Sequence, residues 1–385
     1  MNQKEVRELK RRFRPDKNAI SRIYGCFVDP NRRIISYLDE SLGLMPEDEV
    51  EKYLNLLKKT LSGTLGKNLI DIVFSTQQVV DSPEHRLLTR LRDTQLEDAE
   101  VRQEFYDKVI ASLSMDDSRY LILLAHDSYD VPYRGKDDEV QADASDQVFS
   151  YLVCCVCPVK DGTPELGYFH GENEFHISME KQIVGQPELG FLFPAFDDRT
   201  ANLYNALFYS RKPDELHQEF IDAVFRTEPP MSAAEQRETF QSALCGTLEG
   251  ACSMEVVQSV HDYLRQRIQE HKESRDPEPL AVTAGEVSGV LRNCGVPEER
   301  VEAFQTACGQ SFGEGALTPA NLIDAKHFAV KTADATIQVD PERSYLVEAR
   351  IIDGRRYLLV PADESVEVNG LGVRIAAAKD GGETT

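Results

Sequence analysis

The chain has 385 residues, with 66 acidic against 43 basic side chains and a formal charge of −23. Hydrophobic residues make up 41% and charged residues 28%, the balance of a globular protein of two or three domains rather than of a disordered chain. Such a charge repels polyanions, so a broad duplex-DNA face is excluded unless the cations are segregated.

They are segregated, but only in one short stretch, which leaves room for one basic contact and none for a broad duplex-DNA face. The first 35 residues hold ten Lys/Arg against four acids, a local +6, which leaves −29 on the other 350. No apolar leader core stands there, so a secretory signal is not expected. Val6, Leu9 and Phe13 recur at helical spacing, so 3–13 reads as a short amphipathic helix with a basic outer face, stopped by Pro15. A hairpin is expected next, with strands over 20–28 and 33–38 around Asp29-Pro30-Asn31. Helices fit 46–61, 83–91 after the N-cap Ser82, and 99–113.

From about residue 119 the pattern changes to strands, first over 120–126 and 148–159. Both apolar runs are far shorter than the roughly 20 residues of a membrane helix. Between them 136–146 carries five acids in eleven residues and is expected as a loop. Further strands fit 166–170, 174–178, 190–196 and 202–209, separated by short turns, so antiparallel pairing is expected. Helices are predicted over 213–225, after Ser232 (with Glu235 at capping-box spacing) and over 256–268. The polar stretch 270–279 is the best linker candidate. Thr283 and Glu286 cap one further helix, and Pro297 opens another after the turn at Gly295. Asp353-Gly354 signals a hairpin that puts Ala349 and Ile351 on one face with Leu358, and Arg350 on the other with Tyr357. Asn369-Gly370 signals a second. The expected fold is α+β, with a mostly antiparallel central sheet and helices, then a C-terminal helical hairpin and small β module. The expected divisions are 1–115, 116–272, 280–376 and a tail over 377–385.

Little chemistry is assembled along the chain. His170, Glu172, Glu174 and His176 would share one face of a continuous strand. With His126 and Asp127 the set His126, Asp127, His170, Glu174 and His176 is the candidate centre of a metal-assisted hydrolase. Gly171-Glu172-Asn173 is turn chemistry, however, and a polar hairpin tip is the stronger reading. Cys154 and Cys157 fall on opposite faces of a buried strand, unlike a redox pair. Cys245/Cys252 and Cys294/Cys308 lack zinc spacing, and eight scattered cysteines suit a reducing cytosol. Ser62–Asn68 is only superficially a phosphate loop and reads as a helix end plus connector. The helices around Gly295 suit a structural αα-hairpin better than a DNA reader, because acids open the second. No catalytic residue and no cofactor is assigned.

Lys10, Arg11, Arg12, Arg14 and Lys17 are the candidate partner-binding residues. The favoured account docks them on the acidic body of the same protein. The sharper account makes them a contact for RNA, for a ribosome or for an acidic partner, with Phe13 or Tyr24 free to stack on bases. The leading expectation is a non-enzymatic cytosolic interaction protein with a basic N-terminal surface and no membrane partner.

Four segments resemble a bacterial family known as domain of unknown function 4317. They are the opening Glu5–Asp29 with Ile23-Tyr24-Gly25-Cys26-Phe27-Val28-Asp29, the run Lys58–Asn68, Phe193-Pro194-Ala195-Phe196-Asp197-Asp198-Arg199 and Arg350-Ile351-Ile352-Asp353-Gly354-Arg355. The resemblance runs nearly end to end and implies a single architecture. It implies no activity, cofactor or catalytic residue.

Overall fold

The computed structural model describes residues 1–113, 115, 118–134, 140–177, 182–228, 230–313, 317–362, 366–368 and 371–373. The described chain is α+β and forms two compact units. The first comprises Met1–Phe240 with Ser274–Ala281, the second Gln241–Glu273 with the chain from Val282 onward.

In the first unit the chain runs α1 (Gln3–Lys10), β1 (Arg22–Val28), β2 (Ile34–Ser41), α2 (Glu47–Lys59), β3 (Leu69–Val73), α3 (Thr76–Asp81), α4 (Pro83–Asp93) and α5 (Ala99–Ser112). Next come β4 (Arg119–Arg134), β5 (Val140–Asp161), β6 (Leu166–Phe169), β7 (Glu174–Ile177), β8 (Gln182–Val184), β9 (Leu189–Phe193), β10 (Ala195–Asp197), β11 (Thr200–Asn202), β12 (Asn205–Ser210) and α6 (Gln218–Phe225). An antiparallel sheet of order β2-β1-β4-β5-β9-β12-β3, with β8 added to β5, is its centre.

Both faces of this sheet are covered. Leu124, Cys154, Phe191 and Phe208 pack with Leu88 and Leu91 of α4, Phe105 of α5 and Phe220 of α6. On the other face Leu123, Tyr151, Cys155 and Leu192 pack with Val6 and Leu9 of α1 and with Leu54 and Leu57 of α2. Burial on both sides explains why 120–125 and 151–159 read as continuous apolar runs rather than alternating ones. Gly190 is needed where α2 ends on the sheet: a Cβ there would lie 2.5 Å from the Cys154 carbonyl oxygen and 2.6 Å from Thr60 Cγ2.

Local chemistry sets the element ends as expected. Ser82 Oγ accepts from His85 N, and Ser232 and Glu235 close a capping box. Gly171-Glu172-Asn173 is the turn of the β6–β7 hairpin. Three expectations are corrected. Residues 140–146 are strand, because β5 pairs with β4 as far as Val140–Arg134; 136–139 of the expected loop lie outside the described residues. The helix predicted over 213–225 starts only at Gln218, since His217 holds a left-handed backbone (φ +50°) that no helix continues through. The linker predicted over 270–279 is helix to Ser274, and Pro277 beyond it accepts a 2.9 Å hydrogen bond from Gln3 N.

The division falls within α7 (Ala233–Leu248). The second unit continues with α8 (Met254–Ser274), α9 (Ala284–Asn293), α10 (Glu298–Phe312) and α11 (Pro319–Leu322). Val287 and Leu291 of α9 and Val301 and Phe304 of α10 are buried, and Arg292 pairs with Glu298 at 2.7 Å. Among the described residues three strand pairs follow: β13 (Phe328–Lys331) with β14 (Thr336–Val339), β15 (Glu348–Ile352) with β16 (Arg355–Leu359), and β17 (Val366–Val368) with β18 (Leu371–Val373). The expected register holds in β15–β16, where Ala349 faces Leu358 and Arg350 faces Tyr357. The turn expected at Asn369-Gly370 and the tail over 377–385 lie outside the described residues. Among the described residues, no helix is long and apolar enough to cross a membrane.

Candidate functional site

The five predicted metal ligands do not converge. His126 and Asp127 are neighbours on β4 and therefore leave the sheet on opposite faces. Asp127 is buried, and its carboxylate accepts from Arg12 Nε (2.9 Å), Arg12 Nη2 (3.0 Å), Ala19 N (2.9 Å) and the Tyr151 hydroxyl (2.6 Å). Four donors fill the lone-pair sites that an ion would need. Burial pushes the Tyr151 phenol far above its ordinary range and Asp127 adds to this, so the phenol remains a donor. On the other face the His126 Nε2 lies 2.8 Å from Ser150 Oγ, and burial lowers its pKa. His170 and Glu174 are exposed on the β6–β7 hairpin. The His170 ring stands edge-on to Tyr168, and His176 Nδ1 is 3.7 Å from the Glu172 carboxylate. No three of the five bring ligand atoms within 4.8 Å of one another.

The basic residues near the N-terminus separate into different roles. α1 docks by an apolar stripe and by its acids rather than by its bases. Val6 and Leu9 are buried, and Glu8 accepts from Tyr129 Oη (2.7 Å) and Arg199 Nη2 (2.9 Å). Arg12 is spent inward: besides holding Asp127 it donates to the Ser128 carbonyl (3.2 Å) and lies 4.4 Å above the Tyr129 ring. Lys10 is half-buried; burial lowers its pKa, and Lys58 and Lys59 lower it further. Arg14 is exposed, 4.0 Å from Asp16. Arg11 and Lys17 are exposed and form no ion pair among the described residues.

These two cations border a cleft of about 350 Å³ whose wall includes Glu8, Arg12, Tyr129, Pro132 and Arg199. Glu8 compensates Arg199 and Asp127 compensates Arg12, so the uncompensated charge at the mouth is that of Arg11 and Lys17. Such a site attracts a carboxylate or phosphate group and offers it guanidinium donors. It offers no free aromatic face for a base. Phe13 and Tyr24, read from sequence as stacking residues, are buried in the two cores, and the Tyr129 ring is already covered by Arg12. Arg199, which lines the cleft and pairs with Glu8 of α1, stands in one of the family-like segments, but nothing in the sequence assigns it to this cleft, because the β10–β11 turn carries it there.

One other group stands apart. Glu188, Glu215 and His217 each offer a ligand atom, all within 4.8 Å of one another, the one such set of three among the described residues. Cys154, Cys155 and Cys157 are fully buried, and burial keeps Cys154 protonated.

The family model for a domain of unknown function (DUF4317) matches residues 1–371. No curated protein matches the chain.

Proposed function

The chain belongs to the DUF4317 family, and from the cleft beside α1 we propose that it is a non-enzymatic binding protein for an acidic protein partner. One observation carries this reading: Arg11 and Lys17, exposed and without an ion pair among the described residues, border a cleft that Arg12 and Arg199 also line. An acidic side chain entering there meets two solvated cations first, then guanidinium groups held in place by internal pairs. The burial of Phe13 and Tyr24 favours a peptide over RNA, because single-stranded bases are recognised largely by stacking on exposed aromatics. The setting we propose is the cytosol, which eight free thiols support, four of them (Cys26, Cys154, Cys155, Cys157) buried on β1 and β5.

The test is fluorescence anisotropy at low salt, with a labelled oligoglutamate peptide and a labelled oligouridylate of equal charge. Wild type is compared with Arg11→Glu/Lys17→Glu, whose positions are exposed. We expect the peptide to bind and the double variant to lose at least about tenfold in affinity, since like charges then face the ligand. Binding of the peptide that the charge reversal leaves unchanged would sink the proposal. Preference for the oligouridylate would replace the protein partner with RNA.

A further inference from the structure

Glu188 sits one residue before β9, where its carbonyl accepts from Arg211 N (2.8 Å) and so prolongs the β9–β12 pairing. Beyond β12 the chain folds back instead of entering the helix expected from sequence. Ser210 Oγ lies 2.8 Å from the Lys212 carbonyl and 2.6 Å from the Glu215 carbonyl, a shared hydroxyl bond that curls 212–215. His217 then turns through the left-handed region to start α6. In a helix, Glu215 and His217 would point about 200° apart; in this loop they join Glu188.

The His217 ring is under-used. Its Nε2 is buried and has no hydrogen-bond partner among the described residues. Buried imidazole nitrogens are nearly always paired or bound to a metal.

We propose that Glu188, Glu215 and His217 bind a divalent transition-metal ion of the zinc class. Such ions take imidazole nitrogen and carboxylate oxygen at about 2.0–2.2 Å in tetrahedral geometry, so ligand atoms on one ion lie about 3.3–3.6 Å apart. The three atoms, all within 4.8 Å of one another, need close by at most about 1.5 Å to reach that spacing, a movement that side-chain rotation supplies. Calcium and magnesium prefer all-oxygen sets, and the imidazole selects against them. The competing occupants are side chains of the protein itself. Arg211 Nη1 is 3.4 Å from Glu188 Oε2, and Lys212 Nζ is 3.1 Å from both Glu215 oxygens. Both cations are more than half exposed, and solvated pairs of this kind hold a carboxylate weakly. His217 also lines a cleft of about 580 Å³ between α5 and α6, with Leu113 and Phe220. Three protein ligands leave a bound ion with coordination positions to spare.

The full-length protein, stripped with a chelator, is titrated with zinc chloride in a calorimeter. A set of variants is titrated alongside. We expect one equivalent of zinc to bind, with affinity falling at least about tenfold in Glu215→Gln and in His217→Gln. Glu215 is exposed, so its variant keeps the fold; circular dichroism of the metal-free proteins checks both. A Cys245→Ser/Cys252→Ser variant is included because these thiols lie 3.8 Å apart and could take zinc themselves. Zinc retained in this variant and lost in the first two supports the assignment. Loss only with the thiols removed, or no zinc bound to wild type, overturns it.

Discussion

Arg12 and Asp127 connect residues 115 positions apart through two parallel hydrogen bonds, the carboxylate buried and the guanidinium half-buried. A guanidinium fork on a carboxylate is strong when its geometry is good, yet its effect is largest when one partner is lost. Removing the arginine leaves a buried carboxylate with only Ala19 N and the Tyr151 hydroxyl as donors. Arg12→Ala is therefore expected to cost about 3–5 kcal/mol in urea unfolding, far more than an exposed pair. Arg14→Ala, at a residue 4.0 Å from Asp16 in open solvent, is the internal control and should be close to neutral. Equal effects of the two substitutions would contradict the view that the chain uses Arg12 inward. Sequence placed both arginines in one basic patch. Nothing in the spacing of Arg11, Arg12 and Arg14 reveals which of three neighbours has a carboxylate waiting on a strand more than a hundred residues away.

At the level of elements, periodicity and capping were readable and long-range pairing was not. α1, α2, α4, α5, α9 and α10 lie where the apolar spacing and caps put them, because a helix satisfies its own backbone and needs only one buried stripe. The acidic stretch 140–146 lacks any strand pattern, and its strand state rests on backbone hydrogen bonds with β4 that composition does not encode. The segment 213–217 failed for the opposite reason. Leu216 and Phe220 keep helical spacing, but Leu216 is buried from a loop. Helical spacing therefore hides Glu215 and His217 as neighbours. Close packing between elements is similarly invisible until the sheet is assembled. Gly190→Ala would press a methyl group against the Cys154 carbonyl, and a backbone atom in the middle of a sheet cannot step aside. The substitution is expected to cost about 1–3 kcal/mol in chemical denaturation. An unchanged midpoint would mean that α2, through Thr60, is not seated as tightly as the distances require.

For the whole molecule, the split of charge outweighs its sum. A body carrying −29 outside its first 35 residues repels itself at low ionic strength. Raising sodium chloride from about 0.01 M to about 1 M shortens the screening length from about 30 Å to about 3 Å, so the melting temperature should rise. A fall would mean that attractive pairs outweigh the repulsion.

The order of the sheet has a further consequence, in time. β3 is complete at Val73, but the strand it pairs with, β12, ends only at Ser210. At a synthesis rate of about 5–20 residues per second, the edge strand waits roughly 7–30 s before its partner leaves the ribosome. Over that interval Ile70 and Ile72, both buried in the finished protein, have no sheet to enter. Nascent chains of this protein therefore pass through a stage with an apolar strand uncovered, when a chaperone or a pause in translation has the most to protect.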